Sequence, residues 1–110
     1  MKPLRFVGSA REDLSRFPDK VRARAGYELF MVQVGRVPND WRPMSSVGPG
    51  AAEIRLRDGA GAYRIIYVAR FDEAVYVLHA FQKKTQKTAQ RDLELAALRC
   101  RQVMALARKE

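Results

Sequence analysis

Residues 53–68 read Glu-Ile-Arg-Leu-Arg-Asp-Gly-Ala-Gly-Ala-Tyr-Arg-Ile-Ile-Tyr-Val, and this stretch decides the fold class. Apolar and charged residues alternate over 53–57, which is the period of a β-strand with Ile54 and Leu56 on one face. An Asp-Gly pair and a second glycine follow, a sequence that favours the turn of a β-hairpin. The β-branched and aromatic residues over 62–69 then predict a second strand, antiparallel to the first.

The elements on either side are predicted from hydrophobic periodicity and from capping and turn residues. In chain order they are a strand over residues 3–8, a short helix to about residue 17, a helix over 18–34 that Gly35 ends, a loop over 36–50, a strand over 74–81 and a final helix to about residue 109, with Thr85 or Thr88 as its N-cap. The order β-α-α-β-β-β-α predicts a single α+β domain over residues 1–110, its helices packed on one face of a mainly antiparallel sheet.

Composition narrows the class of protein. The 110 residues carry 21 Lys and Arg against 12 Asp and Glu, a formal net charge of +9, which favours an anionic partner. The longest apolar run, at residues 74–78, is far below the roughly 20 residues that span a bilayer, and no secretory signal is apparent. We therefore expect a cytoplasmic protein with no membrane segment. With one cysteine, Cys100, and one histidine, His79, we expect no metal and no cofactor.

Basic residues follow the predicted hairpin and the strand after it. Arg55 and Arg57 share a strand face with Glu53, and we expect Arg64 of the next strand on that same half-exposed face. A second basic run contains Lys83, Lys84, Lys87 and Arg91, next to the positive dipole end of the final helix. Taken alone, the strand arginines can be ordinary surface arginines, and the basic run can be a solvated helical face. Several cations that converge repel one another, and a bound anion relieves that repulsion.

Such a cluster suits cleavage of an RNA phosphodiester by the adjacent 2′-hydroxyl. Negative charge grows on the phosphoryl oxygens in the transition state, and guanidinium groups match that geometry. A lysine crowded by arginines has a lowered pKa, so it can exchange protons near neutral pH. Glu53 is placed to act as a base or to orient an arginine, although an ordinary salt bridge explains it more simply.

Other polar and aromatic side chains have two interpretations each. His79 is either a proton shuttle or, more often in such a strand, a structural histidine bonded within the sheet. Tyr63 and Tyr67 could stack on bases, but tyrosines at strand spacing usually belong to the core. Cys100 lies on the apolar stripe of the final helix and is expected to pack in the core.

Four segments together resemble the RelE/ParE toxin superfamily, and most closely its phage-derived HigB-like branch. They are Trp41-Arg42-Pro43-Met44, Glu53-Ile54-Arg55, Tyr63-Arg64-Ile65-Ile66-Tyr67 and the run from Leu78 to Thr88, Leu-His-Ala-Phe-Gln-Lys-Lys-Thr-Gln-Lys-Thr. The resemblance implies a small RelE-like fold and the toxin of a type II toxin–antitoxin system. It further implies a metal-independent endoribonuclease that cuts mRNA in the ribosomal A site, with a helix-turn-helix antitoxin as partner.

The resemblance also implies site residues. Arg64 matches the strand arginine that contacts the scissile phosphate, and Lys83 and Lys84 match the basic pair after the last strand. Arg55 matches a basic strand position, whereas Glu53 replaces the first basic residue of that pattern. Arg57, Lys87 and Arg91 would hold the RNA backbone.

Gln90 stands where some relatives carry a catalytic Tyr or His, so a lysine, Glu53 or His79 is left as the acid or base.

Two other functions stay open. One is inhibition of DNA gyrase by a ParE-like toxin of the same fold, and the other is RNA binding without catalysis. The joint occurrence of arginines and lysines at the site favours the nuclease. Leu95, Leu98 and Leu106 lie on a second face of the final helix, where an antitoxin could dock.

Overall fold

The computed structural model describes residues 1–59 and 61–109. In chain order its elements are β1 (Leu4–Phe6), α1 (Ala10–Ser15), α2 (Asp19–Gln33), β2 (Trp41–Pro43), β3 (Ala51–Asp58), β4 (Gly61–Val68), β5 (Val75–Lys83) and α3 (Gln90–Lys109). The strands form one sheet in the order β1-β5-β4-β3-β2, in which β1 is parallel to β5 and the other neighbouring pairs are antiparallel. The predicted α+β class is confirmed.

The short edge strand β2 was predicted as part of a loop. Trp41 pairs with Ile54 and Arg42 with Glu53, so β2 extends the sheet beyond β3. All three of its residues are exposed, and Pro43 is a residue that sheets accept only at edges. Without a buried face, β2 has no alternation of apolar and polar residues from which a strand could be predicted.

The helices cover both faces of the sheet, so the prediction of a single covered face is wrong. On one face α1 and α2 pack against a cluster that includes Ile54 and Ile65, and on the other α3 packs against Ile66 and Leu78. Ile65 and Ile66 are adjacent in β4 and both are fully buried. Because successive side chains of a strand point to opposite faces, such a run needs cover on both sides.

The end of α2 matches its prediction. Gly35 has a positive φ of 82°, and the bonds Gly35 N to Val32 O (3.0 Å) and Arg36 N to Met31 O (2.8 Å) form a Schellman motif. By contrast α3 begins at Gln90, after both threonines that were predicted as its N-cap.

The position of α3 on the sheet is fixed by a buried arginine. Arg99 donates hydrogen bonds to the Leu78 carbonyl (2.9 Å) and to the Ser9 hydroxyl (3.0 Å). Cys100, the next residue, is fully buried, as predicted. Within the described residues, 1–59 and 61–109, no helix is both long enough and apolar enough to cross a membrane.

Candidate functional site

The sheet register brings the predicted basic residues together on the face that carries α3. Arg55 of β3 and Arg64 of β4 share a face of the sheet, as predicted, and the pairing of Asp58 with Gly61 places them directly opposite each other. Ala60, inside the predicted turn, lies outside the described residues. In the neighbouring row Arg57 lies opposite Ala62, and Ala62 lies opposite Lys83 of β5. Since adjacent strands are about 4.8 Å apart, the backbones of Arg57 and Lys83 are only about 10 Å apart.

A buried ion pair lies at the centre of this face. Arg64 Nε lies 3.4 Å from Glu53 Oε1, and the two side chains are 4% and 5% exposed. The Arg64 guanidinium also donates to the Tyr63 carbonyl (3.1 Å). Burial lowers the pKa of Arg64, while the Glu53 carboxylate opposes that shift. The salt-bridge interpretation of Glu53 is therefore correct.

The expectation of a surface arginine at position 64 is wrong. Strand β4 is central in the sheet, so the Arg64 side chain is flanked by Arg55 on one side and Phe81 on the other. Glu53 supplies the carboxylate that makes burial of the guanidinium tolerable. The prediction that Arg64 contacts phosphate therefore concerns a buried side chain.

The more accessible cations surround the buried pair. The Arg55 side chain is 29% exposed; its Nη1 lies 4.0 Å from Asp40 Oδ1 and its backbone N donates to the Asp40 carbonyl (2.9 Å). Arg57 is exposed, and Arg42 is exposed on β2 opposite Glu53. Arg42 was not selected from the sequence, because its strand was taken for a loop.

Lys83 has the perturbed environment expected of a lysine crowded by arginines. Desolvation is the largest cause that lowers its pKa, and the cationic Arg64, Arg55 and Arg42 lower it further, against the opposing Glu53 carboxylate. The lowered pKa increases the fraction of neutral amine at a given pH. Of the site cations, Lys83 is therefore the one suited to proton exchange.

The basic run after β5 surrounds the start of α3. Lys83, Lys84 and Arg91 line a cavity of about 160 Å³ there, and Lys84 and Arg91 also line a larger open groove of about 630 Å³ beside α1. Lys87 is exposed and lines neither of these two cavities. The structure thus groups Lys84 and Arg91 with Lys83, and it places Lys87 outside these cavities.

His79 has a structural environment. Its Nε2 lies 2.8 Å from Asp92 Oδ1 and its ring stacks on Phe81 with centroids 4.7 Å apart. Its side chain is 7% exposed, so it has little access to a substrate. The predicted structural role is supported, but the partner lies on α3 instead of within the sheet. This bond joins β5 to the first turn of α3, so it links the two ends of the segment that carries Lys84 and Lys87.

The core interpretation of the two strand tyrosines is confirmed. Tyr63 and Tyr67 are buried in the cluster beneath α2, and the Tyr63 ring lies 5.0 Å from that of Phe17. Among the residues that the structure describes, no three His, Cys, Asp or Glu side chains are grouped closely enough to hold a metal ion.

Comparison with known proteins identifies the family of this chain. The profile of the family described as "Phage derived protein Gp49-like (DUF891)" matches residues 12–101. The chain belongs to this family. A solved structure of the E. coli toxin RelE, a double arginine-to-alanine mutant in the free state, superimposes on the Gp49-like protein with a TM-score of 0.62 and 19% identity. The match covers 93% of this chain and 97% of that chain.

The Gp49-like protein therefore has the RelE fold that the resemblance implied. No curated protein matches its sequence.

Proposed function

We propose that this Gp49-like protein is the toxin of a type II toxin–antitoxin system and cleaves mRNA on the ribosome without a metal ion. The observation that carries the proposal is the cluster on the α3 face, where two carboxylates, the buried Glu53 and the exposed Asp40, lie among five cations. These cations are Arg42, Arg55, Arg57, Arg64 and Lys83. An excess of positive charge held this closely favours a polyanion as its ligand.

The reaction that suits the cluster is attack of a 2′-hydroxyl on the adjacent phosphorus, with rupture of the bond to the 5′-oxygen. Arg55 is the accessible guanidinium beside the buried pair, so it donates to the phosphoryl oxygens as their negative charge grows. One preorganised donor of this kind is worth about 3–4 kcal/mol of transition-state stabilisation. Arg64 supports it from below and is held in position by Glu53.

Lys83 takes the proton of the attacking 2′-hydroxyl. Its lowered pKa increases the fraction of neutral amine at a given pH relative to an ordinary lysine. The departing 5′-oxygen takes a proton from water as its bond to phosphorus breaks, so the products are a 2′,3′-cyclic phosphate and a 5′-hydroxyl. Glu53, already bonded to Arg64 and 4% exposed, is less suited to this proton transfer, and His79 is held by Asp92.

The remaining basic residues position the RNA. Arg57, Lys84, Lys87 and Arg91 are exposed around the cluster, and such residues contact phosphates without reading sequence. The protein acts in the cytoplasm, where ribosomes are, and a helix-turn-helix antitoxin neutralises it. On α3, Leu98 and Leu106 are exposed and available for that antitoxin, whereas Leu95 is half-buried.

The proposal is tested by brief induction of the protein followed by primer-extension mapping of mRNA ends. We expect new ends inside translated codons, which disappear when the start codon of the reporter is removed. Cuts that persist in the untranslated reporter would contradict ribosome dependence. Arrest without cuts, together with loss of gyrase supercoiling in extracts, would favour the ParE-like function.

A further inference from the structure

Helix α2 carries two apolar stripes on opposite sides. Val21, Ala25, Leu29 and Val32 are buried against the sheet. Ala23, Tyr27, Phe30 and the C-cap residue Val34, which follows the last helical residue, are exposed. At 100° per residue their mean direction lies about 180° from the buried stripe. A helix at a protein surface ordinarily presents charged and polar residues there. Three of these side chains are large, with exposed fractions of 55% for Tyr27, 46% for Phe30 and 41% for Val34.

The outer stripe has the spacing of a coiled-coil seam. The steps from Ala23 to Tyr27, to Phe30 and to Val34 are four, three and four residues. This is the a/d pattern by which one helix packs against another, knobs into holes. The stripe covers most of the 15-residue helix, so it offers about three turns of contact.

The region after the helix extends this surface and is held in place. The Glu28 carboxylate accepts hydrogen bonds from Asn39 N (2.7 Å) and Asn39 Nδ2 (2.6 Å). The loop fixed in this way exposes Val37 (61%), and Trp41 at the start of β2 is also exposed (40%). Both line a cavity of about 230 Å³ at the end of α2. An apolar face of this extent is typical of a surface that binds a partner.

The charges beside the stripe indicate whether its binding partner is a second copy of this chain or a different protein. Lys20, Arg22, Arg24 and Arg36 are exposed on α2 or just after it. Asp19 is the exposed acid of the helix and already pairs with Arg22 at 3.0 Å, while Glu28 is buried. Two copies meeting at this stripe would bring like charges together, in a chain whose net charge is +9. An acidic partner would meet complementary charge.

We infer that the outer face of α2, defined by Ala23, Tyr27, Phe30 and Val34, binds an amphipathic helix of another protein with acidic residues flanking its apolar seam. Since α2 and the basic cluster lie on opposite faces of the sheet, the partner helix leaves Arg55 and Lys83 uncovered. The surface therefore serves attachment or regulation away from the site. The inference does not depend on the proposed ribonuclease activity.

The test uses two synthetic helices of about four heptads, both with Ile and Leu at a and d. One carries Glu and the other Lys at the flanking e and g positions, and binding to the full chain is followed by fluorescence anisotropy. We expect the Glu peptide to bind and the Lys peptide not to bind. Phe30→Ser and Val34→Ser should each weaken binding by about tenfold or more. The control Ser46→Ala, at an exposed residue next to Val47 of the cluster on the opposite face of the sheet, should leave binding unchanged.

Because these side chains are exposed, the variants should keep the fold, and their circular dichroism and melting temperature check this. Equal binding of both peptides, or binding of neither, would overturn the inference. A stripe-dependent dimer in sedimentation velocity, lost in Phe30→Ser, would also overturn it and assign the surface to a second copy.

Discussion

Arg64 Nε lies 3.4 Å from Glu53 Oε1 in a pair from which solvent is almost excluded, and Arg55 lies directly across the hairpin from Arg64. Glu53 holds the buried guanidinium, so the more exposed Arg55 is left to meet a ligand. In the proposed function the two arginines therefore have different tasks: Arg64 organises the site from within, and Arg55 would contact the phosphate. The following experiments separate these tasks.

Replacing Arg64 tests its structural role. Arg64→Ala leaves the Glu53 carboxylate buried without its partner, so we expect a loss of about 3–5 kcal/mol in the free energy of unfolding. The double variant Glu53→Leu with Arg64→Met removes both charges and should recover most of that loss. Urea denaturation of the wild type and of the single and double variants measures both effects. An Arg64→Ala protein as stable as the wild type would show that the pair contributes nothing to folding.

The lowered pKa of Lys83 is directly measurable. Desolvation and the neighbouring cations favour the neutral amine, so Lys83 should titrate below its ordinary value of 10.5, and Arg55→Gln should raise its pKa by removing one cation. NMR titration of the lysine side chains, compared between the wild type and Arg55→Gln, follows both changes.

The same shift has a consequence for stability. Between the lowered folded-state pKa and 10.5 the unfolded chain binds more protons than the folded one, so the Lys83 contribution to stability rises with pH in that window. A Lys83 that titrates at or above its ordinary value of 10.5 would remove the basis for its role in proton transfer.

The basic run after β5 should control the salt dependence of RNA binding. Replacing Lys83, Lys84 and Lys87 by Gln removes three cations, which should flatten the slope of log affinity against log salt by about 2–3 units. A matched control replaces Arg5, Lys20 and Arg36, which are exposed and lie outside the cluster. Filter binding to single-stranded RNA at several salt concentrations compares the two. Equal slopes for both variants would place the RNA elsewhere.

The bond between His79 and Asp92 should stabilise the loop that carries Lys84 and Lys87. Asp92→Ala leaves the buried His79 Nε2 without its partner, which should cost about 1–3 kcal/mol of folding free energy. Hydrogen exchange at residues 84–89 should quicken as well, because the two ends of the segment are no longer joined. Unchanged exchange there would show that the loop is ordered by other contacts.

The part of the site that was predictable from sequence depends on local register. The Asp-Gly turn joins β3 and β4 so closely that alternation alone places Arg55 opposite Arg64. The burial of Arg64 was not predictable, since it depends on the strand order, which makes β4 central. Arg42 was missed because its strand has no buried face and so no alternation of apolar and polar residues. The second covered face of the sheet was missed although the adjacent apolar residues Ile65 and Ile66 indicate it.

The measurement that tests the central claim most directly is single-turnover cleavage of a short mRNA on purified ribosomes, with a chelator arm in which ribosome integrity is checked by sedimentation. Wild-type protein should cut the mRNA in the A-site codon. Arg55→Gln should cut at least about 100-fold more slowly, the loss expected for one transition-state donor, with its melting temperature unchanged. Leu98→Ser should cut at the wild-type rate. Cleavage by Arg55→Gln at the wild-type rate, or no cleavage by any form on intact ribosomes, would contradict the account.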